Sequence, residues 1–183
     1  MTYYGPKELA ASFRTVRNNT IQIAEEIPEE QYGYRATPEL RTVAGTLVHI
    51  ALATRLPEQI HFVERRTAMG GFDFFAFFGK QSAAEQAPRS KIEILDLLRE
   101  EGEKFAQALE GVTEDFLAER IEYPQGMVPQ SKSRFEMLLG VKEHEMHHRG
   151  QLMLVERMLG ITPHLTRHMQ ERVAAMKAAQ AGG

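Results

Sequence analysis

The sequence predicts an all-α protein, a four-helix bundle with a long crossover between helices 2 and 3 and an extra C-terminal helix. Four long stretches carry apolar residues at alternating spacings of three and four, the period of one helical face. Two of these stretches begin with a capping-box pattern, Ser90 with Glu93 and Ser133 with Glu136. No pair of segments shows the alternation typical of paired strands. Long amphipathic helices joined in this way are characteristic of bundles.

Proline and glycine set the predicted ends of the first two helices. The first begins at Pro6, a residue suited to the first helical turn, and ends before Pro28. The second covers residues 42–66, and Pro57 is expected to kink it or stop it early.

Residues 68–88 are predicted to form a loop, because paired glycines open the segment and a proline closes it. The loop contains five phenylalanines, so we expect it to close the core, to cover a pocket or to bury itself in a dimer.

The third helix is predicted to run from Ser90 to Gly111, and residues 113–120 to form a short helical turn. Residues 121–131 are expected to be irregular. The fourth helix begins at Ser133 and is stopped by Gly160 and Pro163, after which a C-terminal helix follows.

Length and composition narrow the class of protein. The 183 residues suit one domain spanning 1–183, and the net charge of −3 with no basic stripe argues against nucleic acid as a partner. No cysteine is present, so a transition-metal site would have to use His, Asp, Glu or water. No apolar stretch reaches the ~20 residues of a membrane helix. We therefore expect a cytoplasmic protein that binds neither nucleic acid nor membrane.

Three of the seven histidines lie in one short segment of the fourth helix. At ~100° of rotation per residue, His144 and His148 are about 40° apart on the apolar face, one turn from each other. His147 lies about 60° from His144 on the opposite flank and is the weaker candidate for a ligand. Arg149, a predicted surface or interface residue, falls on the far side, as do Glu156 and Arg157.

His49 also faces the predicted core, because Ala53, Leu56, Ile60 and Val63 project within about 40° of it. Burying three unpaired imidazoles would cost about 1–3 kcal/mol for each, and one divalent cation would satisfy all of them. The remaining histidines, His61, His164 and His168, are predicted to be solvated.

Two other metal sites share parts of this pattern. Residues His144 to His148 spell H-E-x-x-H, the zincin protease signature in which Glu145 would be the general base, but the longer zincin pattern fails. Glu58 with His61 and Glu145 with His148 have the E-x-x-H spacing of ferritin-like carboxylate proteins. The helical projection argues against that site, because it would turn the apolar face of the second helix outward.

The segments "TPELRTVAGTLVHIALA" and "HEMHHRGQL" resemble the DinB/YfiT-like family of metal-dependent proteins, and the likeness extends from "AEEIPEEQYGYRATPE" to "GITPH". The resemblance implies a four-helix bundle, commonly a homodimer, with one divalent metal ion held by His49, His144 and His148. It does not distinguish zinc, nickel, iron and manganese. Because some relatives are thiol-dependent transferases or isomerases, it slightly favours thiol transfer over hydrolysis.

Three neutral imidazoles would leave a divalent ion open to water, a low-molecular-weight thiol or a small-molecule substrate. The expected enzyme would therefore direct an activated thiol or water at a small electrophile, with Gln151 touching substrate or supporting a ligand. The alternative is a non-catalytic bundle in which the metal only ties helices together.

Overall fold

The computed structural model describes residues 4–181 and consists mainly of helices. The elements are α1 (Pro6–Glu26), a 3-10 turn (Glu29–Gln31), α2 (Val43–Leu52), α3 (Arg55–Pro57), a π-helical segment (Glu58–Val63), α4 (Phe74–Gln86), α5 (Lys91–Glu110), α6 (Glu114–Ala118), β1 (Arg120–Glu122), β2 (Ser131–Ser133), α7 (Arg134–Met158) and α8 (His164–Ala181). The four-helix bundle, the long crossover and the additional C-terminal helix are as predicted.

Both predicted capping boxes start long helices. The hydroxyl oxygen of Ser90 accepts the backbone N–H of Glu93, and that of Ser133 accepts the N–H of Glu136. In each case the glutamate carboxylate accepts the backbone N–H of the serine in return. These caps fix where α5 and α7 begin.

The four bundle helices α1, α2, α5 and α7 enclose the core, with α1 and α2 each packed against both α5 and α7. The core contains two large clusters of buried residues. The first is largely aliphatic and includes Ile23, Leu47, Leu52, Leu98 and Leu152. The second adds the rings of Phe13, Phe105 and Phe116 to aliphatic side chains.

The second predicted helix is interrupted. The chain turns after Leu52, resumes as α3 and then widens into the π-helical segment. This change of pitch overturns two predictions that assumed one continuous α-helix: Val63 is 64% exposed, and His61 is completely buried. Nδ1 of His61 lies 3.1 Å from Nη1 of Arg134, and burial lowers the pKa of His61 to about 4.

The predicted loop at residues 68–88 is wrong in its centre, where α4 forms. The carboxylate of Asp73 accepts the backbone N–H of Ala76 and caps this helix, which outweighs the turn signal of the preceding glycines. The phenylalanines pack only in part, since Phe75 is 94% exposed and Phe78 is 49% exposed.

A short antiparallel hairpin replaces part of the predicted irregular segment. Arg120 pairs with Ser133, and Glu122 pairs with Ser131. Strands of three residues carry too little alternation to be recognised in the sequence. The hairpin buries Ile121 against Ile60 and Met69.

Two predicted surface residues near the C-terminal helix are buried. His164 and Glu156 are both completely inaccessible to solvent, whereas His168 is exposed as expected. Nε2 of His164 lies 3.3 Å from the side-chain oxygen of Asn19 on α1. The projection of α7 alone could not show that its polar side is covered. Arg149 on the same side is half-buried.

No helix within residues 4–181 combines the length and the apolarity that crossing a bilayer requires.

Glu156 should make the protein less stable at neutral and alkaline pH. Neither carboxylate oxygen has a hydrogen-bond partner among residues 4–181, and burial together with the charge of Glu26 raises the pKa of Glu156 to about 7. The folded state thus holds this proton more strongly than the unfolded state, so stability is lost as pH rises from about 4.5 through 7. We expect Glu156→Gln to raise the free energy of unfolding by about 1–3 kcal/mol at pH 8 and to change it little at pH 4.5.

Urea unfolding at both pH values measures this difference. Glu143→Gln, an exposed site on the same helix, is the control and should change stability equally little at both. An equal effect of Glu156→Gln at pH 4.5 and pH 8 would contradict the assignment.

Candidate metal centre

The structure brings His49, His144 and His148 together between α2 and α7. Nε2 of His144 lies 3.2 Å from Nε2 of His49 and 3.2 Å from Nε2 of His148. One ring nitrogen from each of the three residues falls within 4.8 Å of the other two. The three imidazoles therefore present their nitrogens to a common point.

Local structure positions each ring. Thr42 caps α2 by accepting the N–H of Gly45, and His49 follows two turns later on the side that faces α7. His144 and His148 lie one turn apart on α7, with ring centroids separated by 4.6 Å. His148 is buried, and the other two rings are partly accessible.

Glu85 on α4 contacts Nδ1 of His49, the ring nitrogen that does not face His144. Its Oε1 lies 2.9 Å from Nδ1 of His49, and because a carboxylate can only accept, Nδ1 carries the hydrogen. In the neutral ring this tautomer leaves the lone pair on Nε2 of His49. Glu85 was not among the predicted site residues, because its segment was predicted to be a loop and no spacing in the sequence connects it to His49.

Gln151 supports the opposite side of the cluster. Its Oε1 lies 2.8 Å from Nδ1 of His148, and its amide nitrogen lies 3.1 Å from Nε2 of His147. Accepting from Nδ1 leaves the lone pair of His148 on Nε2. His147 itself is exposed and lies outside the converging group.

Burial keeps two of these rings neutral. Desolvation, followed by the neighbouring imidazoles, lowers the pKa of His144 to about 4. The pKa of His148 is also lowered, again chiefly by desolvation, although its bond to Gln151 opposes the shift. At neutral pH these nitrogens are available as donors to a cation.

Arg17 on α1 makes buried hydrogen bonds to residues next to the histidine cluster. Its Nε–H donates to both carboxylate oxygens of Glu145, at 2.9 and 3.0 Å. Its Nη1 donates to the carbonyl of Leu98 on α5 at 2.8 Å, and its Nη2 donates to the carbonyl of Ile50 on α2 at 3.3 Å. One buried guanidinium on α1 thereby contacts the three other bundle helices.

Gly102 makes room for this side chain on α5. A Cβ at that position would lie 2.8 Å from Cγ of Arg17. Ile50 and Glu145 are the neighbours of His49 and His144 in the sequence, so the Arg17 contacts hold both histidine-bearing helices at the height of the cluster.

The two alternative metal sites are not assembled. Glu145 is buried against Arg17 and lies outside the histidine group, so it is not placed as the general base of a zincin. In the ferritin-like alternative, Glu58 instead forms an ion pair with Lys104 at 2.8 Å, and His61 lies against Arg134. The E-x-x-H spellings are therefore incidental to this site.

A cavity of about 730 Å³ opens beside the cluster. His148 and Gln151 form part of its wall, together with the first turn of α2 and the segment from Tyr34 to Arg41. A small molecule in this cavity would therefore lie against His148, one of the three histidines of the cluster.

Comparisons with known proteins bear on the family and the fold. A sequence model of the DinB family matches residues 1–178. No functionally curated protein matches the chain significantly.

Solved structures share the fold at low sequence identity. YfiT from Bacillus subtilis, described as a probable metal-dependent hydrolase with an unusual four-helix bundle topology, is 16% identical, with a TM-score of 0.65 over 88% of this chain and 91% of that protein. A DinB-like protein from Bacillus subtilis is 21% identical, with a TM-score of 0.62 over 85% of this chain and 93% of the other. One from Bacillus cereus is 19% identical, with a TM-score of 0.62 over 88% and 97%.

Removing Arg17 should destabilise the bundle strongly. Arg17→Met leaves the Glu145 carboxylate buried without its partner, and we expect a loss of about 3–5 kcal/mol in the free energy of unfolding, measured by urea denaturation. The double variant Arg17→Met with Glu145→Leu should lose less, because no uncompensated charge remains buried.

Arg14→Met is the matched control on the same helix. Arg14 forms exposed ion pairs with Glu103 and Glu110, so its loss should cost less than about 1 kcal/mol. Equal losses for Arg17→Met and Arg14→Met would show that the buried contacts do not hold the bundle together.

Proposed function

Because the chain belongs to the DinB family, we propose that it is a metal-dependent enzyme whose three-histidine cluster activates a small nucleophile against a small-molecule electrophile. The observation that carries this proposal is the convergence of three imidazole nitrogens, one of them from His148, a residue in the wall of a cavity large enough for a substrate. YfiT is described as a probable metal-dependent hydrolase, and this description supports the proposal only by analogy.

The donor set fits a divalent cation. The tautomers of His49 and His148 direct two lone pairs toward Nε2 of His144, and a single hydrogen on that nitrogen could serve only one of them. Tetrahedral zinc with Zn–N distances of ~2.0–2.1 Å places its ligand nitrogens about 3.3 Å apart. Nε2 of His144 lies 3.2 Å from Nε2 of His49 and 3.2 Å from Nε2 of His148, and both separations are close to that value.

A divalent cation held by these residues would supply a Lewis acid that favours the deprotonated form of a thiol or of water. The protein's own contribution is to orient the donors. Glu85 and Gln151 each accept the Nδ1 hydrogen of a ring, which fixes its tautomer and raises its basicity as a ligand. Gln151 also lines the cavity, where its exposed amide can contact a bound substrate.

A purely structural metal is the second candidate, since an ion here would tie α2 to α7. The cavity beside the rings favours the enzyme, because a structural zinc site is normally closed by four protein ligands. Within residues 4–181, the group of metal-ligating side chains close enough together to share one ion has three members, His49, His144 and His148, rather than four.

Homodimer formation and a cytoplasmic location stay predictions. The exposed rings of Phe75 and Phe78 on α4 offer an apolar surface that a second copy could cover.

Zinc binding and catalysis should depend on the same three residues. We expect His49→Ala, His144→Ala and His148→Ala each to weaken zinc binding by at least about 100-fold in calorimetric titrations, whereas His147→Ala should change it by less than about tenfold. Glu85→Gln should weaken it by about 10–100-fold through the orientation of His49.

Activity assays on the same variants separate the two nucleophiles. Zinc-loaded protein is supplied with an aromatic halide electrophile plus a low-molecular-weight thiol, or with an activated ester in water alone. Thiol-dependent loss of the halide supports transfer, and ester cleavage supports hydrolysis; either should disappear in His144→Ala and persist in His147→Ala. Tight zinc binding with neither reaction, in a fully enclosed site, would favour the structural role.

A further inference from the structure

The cavity beside the histidines has two chemically different walls. Leu152, Val155 and Met158 of α7 form an apolar wall. The segment before α2 contributes Arg35, Glu39 and Arg41 to the lining. The lining thus contains two cations and one carboxylate from this segment, and a divalent ion at the imidazoles would make the cavity still more positive.

Arg41 is the cation next to the metal centre. Its Nη2 lies 4.0 Å from Oε2 of Glu85, while the other oxygen of that carboxylate holds His49. One carboxyl group thus separates the guanidinium from the imidazole cluster. Within residues 4–181 this long contact is the only ion pair of Arg41, and half of its side chain remains exposed.

The neighbouring polar groups are already engaged. Nη1 of Arg35 donates to the carbonyl of Pro38 at 3.0 Å. The first N–H groups of α2 are also used, since those of Val43 and Ala44 donate to backbone carbonyls and that of Gly45 donates to its cap, Thr42. The N–H groups at the start of α2 are therefore not free to bind an anion. The guanidinium N–H groups of Arg41 remain available for a bidentate pair with a carboxylate.

We propose that the molecules bound in this cavity carry a carboxylate that pairs with Arg41, while their apolar part lies against Leu152, Val155 and Met158. Arg41 is then a specificity residue that selects small amphiphilic carboxylates and directs their apolar portion along α7, beside the imidazoles. This inference rests on the proposed function, because it names the substrate class of the same site.

The test uses two probes of equal size, 4-methylpentanoate and 4-methylpentanamide, which differ only in charge. Their dissociation constants are measured on zinc-loaded and on metal-free protein carrying [methyl-13C]methionine, with the NMR signal of Met158 in the cavity wall as the reporter. We expect the wild type to bind the carboxylate at least about tenfold more tightly than the amide, as for a charge-assisted pair. Arg41→Gln should reduce this ratio to about twofold, and Arg41→Lys should retain part of it.

Arg99→Gln is the matched control, because Arg99 forms exposed ion pairs with Glu25 and Asp96 away from the cavity. It should keep the wild-type ratio. A carboxylate preference that needs zinc and is unchanged in Arg41→Gln would overturn the inference but leave the proposed function intact, since the anion would then be bound at the metal centre.

The same measurements can also contradict the metal-dependent function while supporting the role of Arg41. If the wild type fails to bind zinc but shows an Arg41-dependent carboxylate preference, the metal-dependent function fails and the assignment of Arg41 stands. If neither probe shifts the Met158 signal in either form of the protein, the inference about Arg41 is overturned, while the zinc titrations and activity assays decide the proposed function separately.

Discussion

The buried contact between Arg17 and Glu145 is the constraint on which the arrangement of this bundle depends. The guanidinium of α1 reaches a carboxylate on α7 and carbonyl groups on α2 and α5, so four helices share one buried polar centre. Burying both charges is costly, and the net stability gained over an apolar core of equal volume is small. What the contact adds is geometric: it determines which turns of α2 and α7 face each other.

That geometry is what a three-histidine site needs. Adjacent residues on α2 and α7 serve the two purposes, Ile50 and Glu145 for Arg17, and His49 and His144 for the cluster. Glu85 and Gln151 then set the hydrogens of the outer ring nitrogens, which leaves the inner lone pairs for a cation. The contacts of Arg17 and the histidine cluster thus occupy neighbouring positions on α2 and α7, and the cavity adjoins them at His148 and Gln151.

The helix starts and the faces of the histidines could be predicted from the sequence where all the relevant residues lie on one regular helix. The capping boxes located α5 and α7, and the helical projection separated His144 and His148 from His147. The prediction failed where the period changed or where the partner lay elsewhere in the chain. The π-helical segment buries His61 and exposes Val63, because the projection assumed one α-helical pitch. Glu85 and Arg17 act across 36 and 128 residues, and no local spacing marks such pairs.

X-ray absorption of the zinc-loaded protein would show directly whether His49, His144 and His148 bind one divalent ion. We expect one zinc per chain with three imidazole nitrogens at ~2.0–2.1 Å, and two imidazole nitrogens in zinc-loaded His49→Ala. A first coordination shell in wild type with one imidazole or none, made instead of carboxylate oxygens and water, would contradict this expectation.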